Sequence, residues 1–257
     1  MCRLFGIAGP SPLPIQEALK AFYPLCTEGC VKKGMTPGHL DGWGISGFSD
    51  DRAVYFARKA EPATQGESDY QLAGERVLKS GSSLVIAHFR NSSGTPVTLS
   101  NTHPFHYRDW IFAHNGTIFG AVASLPLLEA APQGETDSER FFLWIWENIH
   151  AELHPTAALV TLLKKARQEL VYTSLNFLLS DGKHLWAYRD FGDKRLDKGE
   201  TLQERENYYS LYRTTLGNSA VICSEPLVAL SKNWELIPQR TLAVFSAERT
   251  TPQLTTI

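Results

Sequence analysis

Short apolar blocks broken by Gly, Pro and charged residues run along this chain, and their spacing predicts its elements. Residues 2–8 (CRLFGIA) are mainly apolar and predict a buried strand, closed by Gly9, Pro10, Pro12 and Pro14. Ile15, Ala18, Leu19 and Phe22 recur at helical spacing over 15–23. Residues 28–40 are rich in Gly, Thr and Pro and read as loop. Residues 42–48 and 53–58 read as strands joined at Ser49-Asp50-Asp51, a hairpin. A helical pattern covers 69–79, and 83–89 and 110–114 are strand-like. Thr136 is a good N-cap for a helix over 136–152, and Glu139 three residues on makes a capping box. Phe142, Ile145, Trp146 and Ile149 form the apolar face of that helix. Trp144 falls off the face and is the candidate to meet a neighbouring subunit. Residues 155–170 predict a second helix with Pro155 near its first position. Strand-like runs follow at 175–179, 184–188, 219–223 and 242–245, with a hairpin turn at 180–183. Strands, a pair of helices, then more strands is an α+β order rather than alternating β-α-β. The charged stretch 190–213 reads as a solvated excursion, with a lid or docking loop as the alternative.

The 257 residues are 43% hydrophobic and 20% charged, which excludes wholesale disorder but leaves the domain count open. Lys and Arg number 25 against 27 Asp and Glu, so the basic excess of a nucleic-acid protein is missing. No apolar run approaches the roughly 20 residues of a membrane span, and the N-terminus is too short and too soon broken by proline to be a signal peptide. These features, with the cysteine usage, lead us to expect a cytoplasmic protein. The four cysteines, Cys2, Cys26, Cys30 and Cys223, form no disulfide framework and suit a reducing compartment. Cys26 and Cys30 resemble half a metal site, but no second pair follows at ligand spacing, and they read as ordinary thiols. His103 and His106 likewise lack partners for a metal set. No metal and no cofactor is expected.

Cys2 is the most informative residue. Removal of Met1 leaves it with a free α-amine of pKa about 7.7–8.0, a nucleophile and its base in one residue. A buried cysteine opening a core strand explains Cys2 equally well when it is taken alone. Four further stretches change that balance. IAHFRNSSGTP (86–96) ends a strand in Arg90, whose guanidinium forks onto carboxylates. NTHPF (101–105) is a tight polar turn. AHNGTI (113–118) ends a strand in Asn115-Gly116, a side-chain amide beside a backbone N–H, which are the donors an oxyanion needs. ETDSE (135–139) puts Asp137 at the start of a helix.

With the opening MCRLFGIAG and the loop HLDGWGI (39–45), this ordered set resembles the class II, N-terminal-nucleophile, glutamine amidotransferases, and most of all their stand-alone YafJ-like branch. The motifs cover roughly the first 140 residues. The resemblance implies a four-layer α/β/β/α sandwich of two mainly antiparallel sheets, forming a single glutaminase domain over 1–257. It implies that Cys2 is the nucleophile with its own amine as base, and that Asn115 and Gly116 hold the oxyanion. Arg90 would bind the α-carboxylate of L-glutamine and Asp137 its α-ammonium, with Asn91, Ser93 and His103 lining the pocket. Gly38 and Gly94 stand where the sugar-phosphate-aminating branch has Arg and His. The expected activity is hydrolysis of the glutamine γ-amide through a thioester, releasing ammonia to a separate synthase. The alternatives are a hydrolase of a larger γ-glutamyl amide and a non-catalytic scaffold that keeps the fold. A homodimer is a possible assembly.

Overall fold

The computed structural model describes residues 2–11, 13–196, 199–249 and 251–257. Two antiparallel sheets lie face to face. The first has the order β13-β11-β12-β1-β4-β2-β3, formed by Glu235–Leu236, Tyr212–Leu216, Ser219–Cys223, Arg3–Ala8, Leu84–Phe89, Trp43–Ser49 and Arg52–Lys59. The second has the order β15-β14-β10-β9-β6-β5, formed by Gln253–Thr256, Thr241–Ser246, His184–Arg189, Asn176–Ser180, Trp110–Asn115 and Phe105–Tyr107. A separate two-stranded ribbon pairs β7 (Ile118–Phe119) with β8 (Val171–Tyr172).

Period-two alternation explains why the sheets stack. In β1, Leu4 and Ala8 point into the space between the sheets, where they join Leu84, Ile86, Ile111, Ala113, Leu178 and Leu185. Phe5 and Ile7 point the other way, into a core shared with α1 (Leu13–Phe22) and α3 (Glu67–Ser80). Gly6 lies on the inter-sheet side, where a Cβ would sit 3.0 Å from Leu178 Cδ1, so its bareness lets the sheets close up. On the outer face of the second sheet, Phe112, Phe177 and Trp186 pack under α5 (Asp137–Ile149) and α6 (Pro155–Glu169). The result is the α/β/β/α sandwich of α+β class that the resemblance implies. Three short helices complete it: α2 (Leu25–Glu28), α4 (Ala121–Ser124) and α7 (Leu202–Tyr208). Among the described residues no helix is long and apolar enough to cross a membrane.

Three expectations are corrected. Trp144 is not left over for a neighbouring subunit: it is 5% exposed, because α4 and α6 flank α5 and the helix is buried well beyond one stripe. The capping box of α5 is half made. Thr136 Oγ1 accepts from Glu139 N–H, but the Glu139 carboxylate instead accepts from the N–H groups of Gln133 and Gly134. The stretch 190–213 is a solvated excursion only in part: among its described residues, 193–196 and 201–204 are exposed while others are buried. Asp190, Arg205, Tyr209 and Leu211 are buried there, and α7 carries a complete Thr201–Glu204 capping box. Asp197 and Lys198 lie outside the described residues.

Candidate active site

Antiparallel pairing gathers the chemistry at one end of the sandwich. Arg3 opens β1 opposite Phe89, which closes β4, and Phe89 also faces Trp43 at the start of β2. In the second sheet, Asn115 closes β6 opposite Asn176, which opens β9. Cys2, Arg90 and Gly116 therefore each stand one residue beyond a strand end on the same edge. The N-terminus of α5 brings Asp137 to them. One cavity is lined by Cys2, Arg90, Asn91, Ser92, Ser93, Thr95, His103, His114, Gly116, Thr136, Asp137 and Ser138. All the expected site residues except Asn115 are in that set. The cavity measures about 30 Å³, the room of one water and too little for an amino acid.

Cys2 is half-buried, and its thiol donates weakly to the Asn91 carbonyl at 3.8 Å. Burial pushes the thiol pKa up, opposed by a backbone hydrogen bond from Asn91 and by the charges of Arg90 and Arg3. A thiol held above its usual range needs a base to act near neutrality. Met1, on whose removal a free Cys2 amine depends, lies outside the described residues.

Arg90 is 3% exposed, and both terminal nitrogens of its guanidinium are engaged, mainly by its own loop. One terminal nitrogen donates to the carbonyls of Asp41 (3.3 Å) and Pro96 (3.2 Å). The other donates to Ser92 Oγ (3.1 Å), Thr95 Oγ1 (2.7 Å) and the Thr95 carbonyl (3.3 Å). The sequence did not foretell this latch. Asn91 is pinned through its Nδ2 to the Gly38 carbonyl at 3.0 Å, and Ser93 Oγ lies 3.5 Å from Thr117 Oγ1.

Asp137 accepts from the backbone N–H groups of Ile118 and Ser138. A carboxylate offers about four lone-pair sites, so acceptor capacity remains. Gly116 passes so close to the connection between β8 and β9 that a Cβ would lie 2.0 Å from the Ser174 carbonyl oxygen, so no other residue fits. Asn115 is fully buried, and neither its Oδ1 nor its Nδ2 has a hydrogen-bond partner among the described residues. On β6 it shares the inter-sheet side with Ile111 and Ala113, the side toward which β1 turns its even-numbered residues.

Sequence reasoning missed three residues here. His114 donates from Nε2 to the Ser174 carbonyl (3.0 Å), and its Nδ1 meets Ser138 Oγ (2.9 Å). Burial pushes its pKa down, with Asp137 pulling the other way. Arg3 is buried beside Cys2, paired to Glu225 at 2.8 Å and donating to His39 Nε2 at 3.0 Å. His88 is buried against His103. Each reads in sequence as an ordinary strand residue, and only its place beside Cys2 or its cavity distinguishes it. His106 stacks on Tyr55 rather than joining His103, with rings 3.5 Å apart. All four cysteines are free, and no cluster of three or more His, Cys, Asp or Glu that would hold a metal is found among the described residues.

The sequence model of the family described as "Glutamine amidotransferases class-II" matches residues 1–256. The glutamine amidotransferase YafJ of Escherichia coli (strain K12) is 32% identical over 201 residues, covering 73% of this chain and 72% of YafJ. A glutamine amidotransferase of Haemophilus influenzae (strain ATCC 51907 / DSM 11121 / KW20 / Rd) is 28% identical over 199 residues, 73% of this chain and 63% of that protein. Among solved structures, the fold resembles the glutamine phosphoribosylpyrophosphate amidotransferase from B. subtilis, with TM-score 0.66 at 15% identity. That match covers 99% of this chain, which spans about half, 49%, of the solved one. It also resembles a predicted glutamine amidotransferase from Pseudomonas aeruginosa, with TM-score 0.56 at 20% identity, over 96% of this chain and 98% of that one.

Proposed function

The chain belongs to the class II glutamine amidotransferases, and from that premise we propose that it hydrolyses the γ-amide of L-glutamine through a γ-glutamyl thioester on Cys2, as one glutaminase domain in the cytoplasm, and passes ammonia to a separate acceptor enzyme. The observation that carries this reading is the single cavity that Cys2 shares with Arg90, Gly116 and Asp137.

Each residue has a task that its surroundings support. The Cys2 amine, free once Met1 is removed, takes the thiol proton, which burial holds too tightly for spontaneous loss. Sulfur attacks the amide carbon. The oxyanion is met by the Gly116 N–H and by the Asn115 amide, whose donors have no other partner among the described residues. The amine then protonates the leaving nitrogen, ammonia departs, and water completes hydrolysis of the thioester. At the α-carbon end Asp137 meets the ammonium and Arg90 the carboxylate. Ser92 and Thr95 hydroxyls now occupy Arg90 as neutral acceptors, and a carboxylate displaces them because charge-assisted, paired hydrogen bonds are stronger. Entry of glutamine thus requires residues 91–96 to move, which also enlarges the cavity.

Intact mass after treatment with a diazo-ketone mimic of glutamine tests the reading. We expect one adduct per chain, on Cys2, in protein lacking Met1, and none in protein that retains it. Equal labelling of both forms, or labelling elsewhere, would overturn it.

A further inference from the structure

His88 and His103 are not used by the chemistry above, yet they stand beside it. His88 follows Leu84 and Ile86 on the inter-sheet side of β4, a position that an aliphatic residue would fill. Instead its ring packs on that of His103, centroids 4.2 Å apart and tilted by 34°, and Phe105 packs on His103 at 4.3 Å. His88 is 0% and His103 3% exposed. All four ring nitrogens are buried without a hydrogen-bond partner among the described residues, and so are both polar atoms of Asn115. His103 lines the cavity of Cys2, and His88 lies against the backbone of His114, the residue before Asn115, without a hydrogen bond of normal geometry. Burial keeps both imidazoles neutral, so each ring presents one donor and one acceptor. Buried polar groups that find no protein partner are met by ordered water, which needs two to four such partners.

We propose that His103, backed by His88, holds one ordered water in the cavity beside Cys2, and that this is the water that hydrolyses the γ-glutamyl thioester. This rests on the amidohydrolase reading and assigns the source of its second nucleophile. The water oxygen bonds to the thioester carbonyl carbon and the C–S bond breaks. The water proton passes to the Cys2 amine and from there to the departing sulfur, giving glutamate and the free thiol with no other reactant. His103 is a positioning residue: it acts through the water, and His88 acts through His103.

The test uses protein lacking Met1 and a chromogenic γ-glutamyl anilide, so that acylation (anilide release) and deacylation (turnover) are read separately. At saturating substrate, His103→Leu should still show a burst of about one anilide per active site, because deacylation becomes the slower step. Turnover should then slow on the order of a hundredfold, as for a misplaced reactant. KM should fall together with kcat, and mass should find a γ-glutamyl group on Cys2. His103→Gln, which keeps a donor and an acceptor, should restore most of the turnover. Added hydroxylamine, which is its own nucleophile, should restore it in His103→Leu. His88→Leu, which leaves the cavity lining untouched, should shift the same ratio less far and serves if His103→Leu does not fold. A slowed burst without acyl-enzyme, or unchanged turnover in both leucine variants, overturns the proposal. A parent protein that releases no anilide and forms no acyl-enzyme overturns the amidohydrolase reading, and the proposal falls with it.

Discussion

Asp190 and the His88–His103 pair are both buried in the sandwich, yet their polar atoms are satisfied to opposite degrees. Asp190 accepts from the hydroxyls of Tyr172 (2.8 Å) and Tyr188 (3.1 Å) and from Gln239 Nε2 (2.9 Å), and Arg167 lies 3.3 Å away. Beside it, Arg189 donates to the carbonyls of Tyr209, Ile237 and Glu206, and Arg205 pairs with Glu200 and donates to the Gly192 and Arg195 carbonyls. These charges tie β10, α6, α7 and the loops between them into one body. At the Cys2 end the ring nitrogens of two histidines and the amide of Asn115 have no such partners among the described residues. Evolution tolerates a buried polar deficit where something else fills it, so a saturated cluster reads as structure and an unsaturated one as a site for ligand, water or reacting atoms.

Four measurements can break or sharpen that contrast. Cys2→Ala should carry the largest effect: glutamine hydrolysis falls on the order of a millionfold, as when other covalent nucleophiles are removed, while the melting temperature barely moves. Measurable turnover by that variant would end the reading of the unsaturated end as a nucleophile's site. Asp190→Ala should do the reverse. It strands Arg167, two tyrosine hydroxyls and Gln239, and should cost about 3–5 kcal/mol in denaturant unfolding, with kcat per folded molecule retained. A loss of less than a third of that would mean the saturated cluster is not what binds these elements together.

Arg90→Lys belongs to both ends of the comparison, because Arg90 latches its own loop and is proposed to grip a carboxylate. Lysine keeps the charge but not the fork. The loss in kcat/KM for glutamine should be about 1.5–3 kcal/mol, larger than for a γ-amide lacking the α-carboxylate. Equal losses on the two substrates would leave Arg90 only the latch. The smallest effect concerns pH. Burial holds the His88 and His103 pKa values well below 6.5, so the folded state stays neutral while the unfolded chain takes up protons as pH falls through 6.5. Their contribution is therefore complete above that value and is lost toward acid. His88→Leu removes one such proton, so between neutrality and pH 5 its unfolding free energy should fall less than the parent's by about 2 kcal/mol. Parallel curves for the two proteins would show that His88 takes up its proton in the folded state over the same pH range as in the unfolded chain.

The sequence by itself determined most of what local periodicity can encode: the first strand, expected over 2–8 and formed by Arg3–Ala8, the hairpin of β2 and β3, the helices α1, α3, α5 and α6, and Thr136 as a cap. Each depends on residues within a turn or a pleat of one another. Through the resemblance they carry, its motifs also named Cys2, Arg90, Asn91, Ser93, His103, Gly116 and Asp137, which line the Cys2 cavity, but not His114, which lines it too. What only the tertiary structure decided is how polar and apolar groups are met across long separations. Trp144 is covered because α4 and α6 flank α5, a fact absent from the helix's own pattern. Part of the charged stretch 190–213 is buried because its charges find partners, Asp190 in the Tyr172 and Tyr188 hydroxyls and Arg205 in Glu200 and two loop carbonyls, and short strands such as β5, β7 and β13 exist only through the neighbours they pair with. The stacking of His88 on His103, 15 residues apart, needs β4 and the turn before β5 to cross at the same end of the sandwich. Periodicity records which side a residue faces. It does not record whether a partner waits there, and that distinction separates the buried charges that hold this fold from the buried groups that serve its site.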